Sequence, residues 1–210
     1  MQASIREIKE FYKKKKPDIE KRIKEFKSIR NSGDDKILFS ELCFCLLTPQ
    51  SRALTCWAAV SDLKEKDLLF RGTPGRIKNS LTGVRFKNNK TSYIIRVQKQ
   101  YPVIKKKIKD NKDVYNLREW LVNNICGFGY KESSHFLRNI GLGTDLAILD
   151  RHILKNLKSL EVINEIPLSI SKTKYIEIEK KMKRFSDKVK IPVGHLDLLL
   201  WAKETGEIFK

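Results

Sequence analysis

A lysine directly behind a glycine hairpin, and an aspartate nineteen positions later, are the residues of this chain best suited to chemistry. The stretch CGFGYKESSHFLRNIG, residues 126–141, sets Lys131 at the start of a helix, just after Gly127-Phe128-Gly129. The first turn of a helix carries partial positive charge and favours anions. A cation there is misplaced unless its lone pair is wanted. Desolvation in a cleft favours a free amine, and a free amine is a nucleophile. Gly127 and Gly129 suit a tight turn between two helices, because glycine tolerates positive φ and close backbone approach. The N–H groups that follow form an anion site that would suit a DNA phosphate. The same glycines also suit an ordinary helix–helix connection, and Lys131 also suits a mobile surface lysine. Asp150 follows the apolar run LAIL and opens DRHIL. Aspartate is a favoured N-cap, and a carboxylate at a cleft mouth can also stabilise a developing cation.

The chain has 210 residues, enough for one substantial core or two small lobes sharing a cleft. Its 44 Lys and Arg against 25 Asp and Glu give a net charge of +19. A field of that sign draws in polyanions, with nucleic acid the first candidate and an acidic membrane surface the second. Cys43, Cys45, Cys56 and Cys126 form no CxxC pair, and there are only three histidines. Neither structural zinc nor an iron–sulfur cluster fits that pattern, so no metal or other cofactor is expected. All four cysteines read as small buried thiols in a reducing compartment. Met1 leads into the charged, amphipathic IREIKEFYKKKKP, which is no signal peptide. No apolar run approaches the ~20 residues a membrane helix requires. The expectation is a soluble, intracellular protein.

The elements that must position Lys131 and Asp150 read as helices almost throughout. Residues 3–13 suggest a short basic helix stopped by Pro17, with a second helix from PDIEKRIKEFKSIRN broken at Gly33. DDKILFSELCFCLLT has the density of a buried helix, ended by Pro49, and QSRALTCWAAVSDLKE begins another. A short helix follows, with Thr73 as N-cap and Pro74 in its first turn. GVRF could be a short strand. KNNKTSYIIRVQKQYP reads as a basic helix ended by Pro102, and VIKKKIKDN as a separate short one. Asp113 opens the helix before the hairpin, and Asp150 caps the one after it. SKTKYIEIEKKMKRFSDKVK is a long amphipathic helix. PVGHLDLLLWAKETG runs from Pro192 to Gly206, and EIFK is an extended tail. Nothing in this pattern needs a sheet.

The segment CGFGYKESSHFLRNIGLGTDLAILDRHIL resembles the active-site signature of the helix-hairpin-helix DNA glycosylase superfamily. In that signature a lysine follows the G-x-G hairpin and an aspartate lies about nineteen residues on. ELCFCLLTPQS is similar to the helix leading into the strand-separating loop. LDLLLWAKETGEIFK resembles the C-terminus of the compact 8-oxoguanine DNA glycosylase/lyases typical of archaea and some bacteria. The likeness runs from about residue 36 to the end. The cysteine-ligated cluster of the endonuclease III branch and the N-terminal β-domain of the eukaryotic-type enzymes have no counterpart here.

The resemblance implies an all-α fold of two helical subdomains with the active-site cleft between them. Residues 33–142 would form a helical barrel with the hairpin and Lys131, and residues 1–32 plus 143–210 would carry Asp150 and the tail. It implies a monomeric, cofactor-free, bifunctional repair enzyme acting on double-stranded DNA that contains 8-oxoguanine, nucleoid-associated in the cytoplasm. Lys131 would attack C1′ and form a Schiff base, β-elimination would nick the strand, and Asp150 would stabilise the oxocarbenium-like charge. Gly127 and Gly129 would hold a backbone phosphate, with Arg52, Arg151 and His152 on neighbouring ones. Trp201 would stack on the extruded purine with Phe86 as the opposite wall, and the terminal carboxylate of Lys210 would contact the oxidised base. Gln50 would refill the gap in the stack. His135 and His195 read as packing residues. A glycosylase of another lesion preference, or a non-catalytic hairpin module that binds nucleic acid, are the other readings.

Overall fold

Helices form where the sequence supplies a cap and an apolar stripe, and ten of them, with no strand, occupy the described residues. The computed structural model describes residues 2–210, with side chains from residue 5 onward; Met1, which entered the signal-peptide reading, lies outside the described residues. In order they are α1 (Gln2–Ser32), α2 (Asp35–Leu47), α3 (Ala53–Glu65), α4 (Pro74–Ser80) and α5 (Lys87–Asp110). Then come α6 (Val114–Asn124), α7 (Tyr130–Asn139), α8 (Arg151–Ser159), α9 (Lys172–Val189) and α10 (Val193–Thr205). Three aspartates open helices as N-caps. Asp34 accepts from Lys36 N at 2.7 Å, Asp113 from Tyr115 N at 2.8 Å and Asp150 from His152 N at 2.8 Å. Gly206 closes α10 in the left-handed conformation, φ +89°. None of the described helices is long and apolar enough to cross a membrane.

Two prolines behave otherwise than their sequence context suggests. Pro17 lies inside α1, which continues for 31 residues, and Pro102 lies inside α5. In each case the buried stripe runs across the proline. Ile8, Ile19, Ile23 and Phe26 are buried along α1, and Ile94, Val97, Tyr101 and Ile104 along α5. Continuous burial of that face offsets the lost backbone bond, a penalty of about 3 kcal/mol in a helix interior. GVRF forms no strand: Phe86 sits at φ +57° as the N-cap of α5. Thr73 is the N-cap of α4 by position, but its side chain makes no capping bond. Cys43, Cys45 and Cys56 are buried, whereas Cys126 is exposed beside the hairpin, contrary to the expectation for all four.

Two apolar clusters lie within the helices. One gathers side chains from Phe39 to Leu146, including α2–α7; the other combines α1 with residues from Ala147 through α10. Buried ion pairs join elements of the two. Arg118 of α6 meets Glu179 of α9 through two bonds of 2.7 and 2.9 Å. Glu179 also accepts from Ala147 N at 2.9 Å, and Arg118 donates to Ser134 at 3.2 Å. Arg138 of α7 donates to Asp197 of α10 at 2.9 Å. Removing one partner of such a pair leaves an uncompensated interior charge. Glu179→Leu is expected to lower unfolding stability by about 3–5 kcal/mol, measured by urea titration. A loss under about 1 kcal/mol would show that the Arg118 pair contributes no more than a surface bridge.

Candidate active site

Gly127 is required twice over. Its φ is +92°, and a β-carbon there would come within 2.6 Å of the Tyr93 ring. Phe128 turns inward to the first cluster, and Gly129 becomes the N-cap of α7. The Gly129 N–H donates to Glu132 Oε2 at 3.1 Å. The other oxygen, Glu132 Oε1, pairs with the Lys131 ammonium at 3.2 Å. Lys131 keeps 24% of its side chain exposed. Glu132 thus satisfies a hairpin amide and balances the misplaced cation. The sequence carried its signal in GYKE, an acid three residues past the N-cap.

Asp150 lies outside ion-pair distance of Lys131. Its Oδ1 is committed to the start of α8, accepting from His152 N and Ile153 N at 2.8 Å each. Oδ2 makes no hydrogen bond among the described residues. Asp150 is half-buried, and its charge reaches Asp197, whose carboxyl is pushed up to about 7 chiefly by burial against the opposing Arg138. Arg138, on the helix of Lys131, thus forms a buried ion pair with Asp197 of α10.

The chain end folds back into the first cluster. The Lys210 ammonium pairs with Glu41 and lies 3.3 Å from the centroid of the Trp57 ring. Burial lowers the Lys210 amine, and Glu41 opposes that shift. Phe209 packs against Phe44 and Trp201, with ring centroids 6.2 and 6.5 Å apart. Glu41 accepts a second bond from Asn139 at 2.9 Å, and Arg138 donates to Asn139 at 3.1 Å. Lys131 and Lys210 both act electrostatically on the buried Cys45 and on His135. A cleft of about 630 Å³ opens beside the tail, with Glu41, Trp57 and Lys210 in its wall and neither Lys131 nor Asp150 in it.

Most of the remaining residues singled out in the sequence lie at or near helix ends. Gln50 is exposed at φ +54° in the turn after α2, and Arg52 is the exposed N-cap of α3. Arg151, exposed, places Nε 3.3 Å from the His152 ring, and His152 lies 4.0 Å from Glu204. Phe86 is 53% exposed beneath the Arg85 guanidinium, and no ring contact joins it to Trp201 among the described residues. His195 is hydrogen-bonded to Tyr12 at 2.9 Å. His135, one turn past Lys131, is 6% exposed and packs edge-on against Phe44. Neither of its ring nitrogens has a hydrogen-bond partner of full geometry.

Residues 19–191 match the family model described as 8-oxoguanine DNA glycosylase. The chain belongs to the 8-oxoguanine DNA glycosylase family. It is 46% identical to the 8-oxoguanine DNA glycosylase/AP lyase of Fusobacterium nucleatum, over 97% of this chain and 96% of the relative. The Methanocaldococcus jannaschii 8-oxoguanine glycosylase/lyase, solved in complex with a 15mer DNA containing 8-oxoguanine, has TM-score 0.91 at 35% identity and covers 100% of both chains. The Thermotoga maritima 8-oxoguanine DNA glycosylase has TM-score 0.91 at 32% identity, again over 100% of both. The resemblance carried by the hairpin segment and the C-terminal stretch therefore holds for the family and for the fold.

His135 gives this family member a measurable pH signature. Burial holds its imidazole well below the ordinary histidine value, and the charges of Arg138, Lys131 and Lys210 add to that. The unfolded chain takes up a proton as pH falls below about 6.5, and the folded chain does not. This depressed group therefore contributes stability above about pH 6.5 that is lost on acidification. Relative to the non-titrating His135→Leu, the protein is expected to lose about 1.4 kcal/mol per pH unit between pH 6 and 5. Denaturant midpoints across that window would check it, and parallel pH profiles would rule it out.

Proposed function

We propose that this chain excises 8-oxoguanine from duplex DNA through Lys131 and then nicks the strand as an abasic-site lyase. The observation that carries the reading is the full-length likeness, at TM-score 0.91 and 35% identity, to a glycosylase/lyase solved on DNA containing 8-oxoguanine, together with Lys131 behind the glycine hairpin and the Lys210 tail docked on Glu41.

A base inside a duplex is out of reach, so the damaged nucleotide is flipped out of the stack. The Lys131 amine forms a bond to C1′ as the glycosidic bond breaks, and the base leaves with the bonding electrons. The sugar ring opens to a Schiff base on Lys131. Loss of a C2′ proton then expels the 3′ phosphate, and water releases the lysine. Asp150, anchored through Oδ1, offers Oδ2 to the positive charge that develops on the sugar. Glu132 holds the Lys131 ammonium in place before substrate arrives.

The hairpin amides beside Gly127 and Gly129 receive one phosphate, and Arg52, Arg151 and His152 receive others. Trp201, already against Phe209, stacks on the extruded purine, and Phe86 closes the opposite side. The terminal carboxylate of Lys210 reads the oxidised base, and Gln50 enters the vacated stack. The cleft lies between residues 33–142 and a second lobe of residues 1–32 plus 143–210, a division supported by the two apolar clusters. The protein works as a monomer on nucleoid DNA in the cytoplasm.

Borohydride is expected to trap a covalent protein–DNA adduct on 8-oxoguanine duplex, and Lys131→Gln to abolish it. An adduct that persists in Lys131→Gln removes Lys131 as nucleophile. Asp150→Asn retains a capping oxygen and is expected to slow excision about a hundred-fold or more with little change in DNA binding; unaltered turnover would leave Asp150 as a cap alone. Extending the chain beyond Lys210 displaces the terminal carboxylate. Discrimination between 8-oxoguanine and guanine is then expected to weaken, read as the ratio of their excision rates. A constant ratio would take the tail out of base reading.

A further inference from the structure

Among the described residues Lys90 is a buried cation with no carboxylate partner. It is 3% exposed, on the first turn of α5. An ammonium has three protons and no acceptor. All three are given to one short turn: to Leu47 O at 2.6 Å, Pro49 O at 2.8 Å and Ser51 Oγ at 3.0 Å. Leu47 ends α2, and carbonyls at a helix C-terminus carry the negative pole and lack partners within the helix. A cation is well placed there. Ser51 Oγ also accepts from Arg85 N at 3.0 Å, which ties the same turn to the segment before α5. Ser51 N closes the turn on Thr48 O at 3.0 Å.

At the tip of this turn stands Gln50, exposed and at φ +54°. Residues with a β-carbon occupy that region rarely, and they persist there only when their surroundings over-determine them. The surroundings here are the three bonds from Lys90. Three residues further along α5 the Tyr93 ring lies against Gly127 of the hairpin, so the same end of α5 meets both the turn and the hairpin before Lys131.

We propose that Lys90 is a positioning residue, which locks the 47–51 turn so that Gln50 projects into the duplex as the damaged nucleotide leaves. This rests on the glycosylase reading above. A buried lysine that only supports the core would affect every activity alike. One that acts through Gln50 affects the step in which a paired base is extruded.

The test compares two substrates of the full-length chain. Excision of 8-oxoguanine paired with cytosine requires extrusion, and cleavage of a preformed abasic site in single-stranded DNA does not. Lys90→Met is expected to reduce the first by about ten- to a hundred-fold more than the second, the scale of a catalytic group misplaced by about an ångström. Gln50→Ala is expected to show the same split, and the double variant no further loss, because residues acting as a unit are not additive. Ser51→Ala deletes one of the three acceptors and is expected to shift the ratio in the same direction by less. Should Lys90→Met fail to fold, the cycle of Ser51→Ala with Gln50→Ala carries the same comparison. Equal losses on both substrates, or additive losses within the cycle, overturn the proposal. Absence of cleavage by the unaltered protein would instead overturn the glycosylase reading, so the two failures are distinguishable.

Discussion

Glu41 has 1% of its side chain exposed, and a carboxylate so placed can be stable only if its partners come to it. They come from far along the chain. Lys210 supplies a charge from the terminus, and Asn139 supplies a neutral donor from the end of α7. Asn139 is in turn bonded by Arg138, and Arg138 by Asp197 of α10. One connected set of polar bonds therefore fixes the end of α7 against α2, α10 and the tail. Lys131 lies at the other end of this ten-residue helix. Its position is set by interactions about two turns away, and holding groups in place beforehand is how a site lowers the entropic part of a barrier.

The charge balance has two regimes. Inside, the buried cations are answered one by one. Arg118 faces Glu179, Arg138 faces Asp197, Lys210 faces Glu41, and Lys90 faces carbonyl and hydroxyl oxygens. The surplus of +19 therefore resides chiefly on the surface, where it costs little solvation and attracts a polyanion from a distance. The long basic helices α1 and α5 carry much of it, on faces opposite their buried stripes. Recognition by field and recognition by shape are thus separated in space.

What the sequence disclosed follows from the range of the forces involved. The hairpin, the aspartate caps and the glycine at the end of α10 are local patterns. Each is resolved within a turn or two. Pro17 and Pro102 misled because their local effect is opposed by burial that only the folded chain supplies. Lys90 and Leu47 are 43 positions apart, and Asn139 and Glu41 are 98 apart. No periodicity reports such pairs, since it shows which face of a helix is buried and not what lies opposite. Glu132 was within reach of sequence reasoning. His135 could be placed on a buried face, but only coordinates reveal that neither nitrogen has a hydrogen-bond partner of full geometry and that the Lys210 backbone lies beside the ring.

The separation of Lys131 from Asp150 bears on the proposed chemistry. A direct ion pair between them would hold the amine protonated and block the approach of a sugar. In its place Lys131 meets Glu132, whose other oxygen is held by the Gly129 N–H. Asp150 meanwhile is anchored by two backbone amides that fix one oxygen and leave the other unbonded. Lys131 and Asp150, the proposed nucleophile and the proposed charge-stabilising group, therefore form no hydrogen bond or ion pair with each other. They belong to different elements, the first turn of α7 and the N-cap of α8. The substrate sugar, rather than a salt bridge, is what would bring their charges into one interaction.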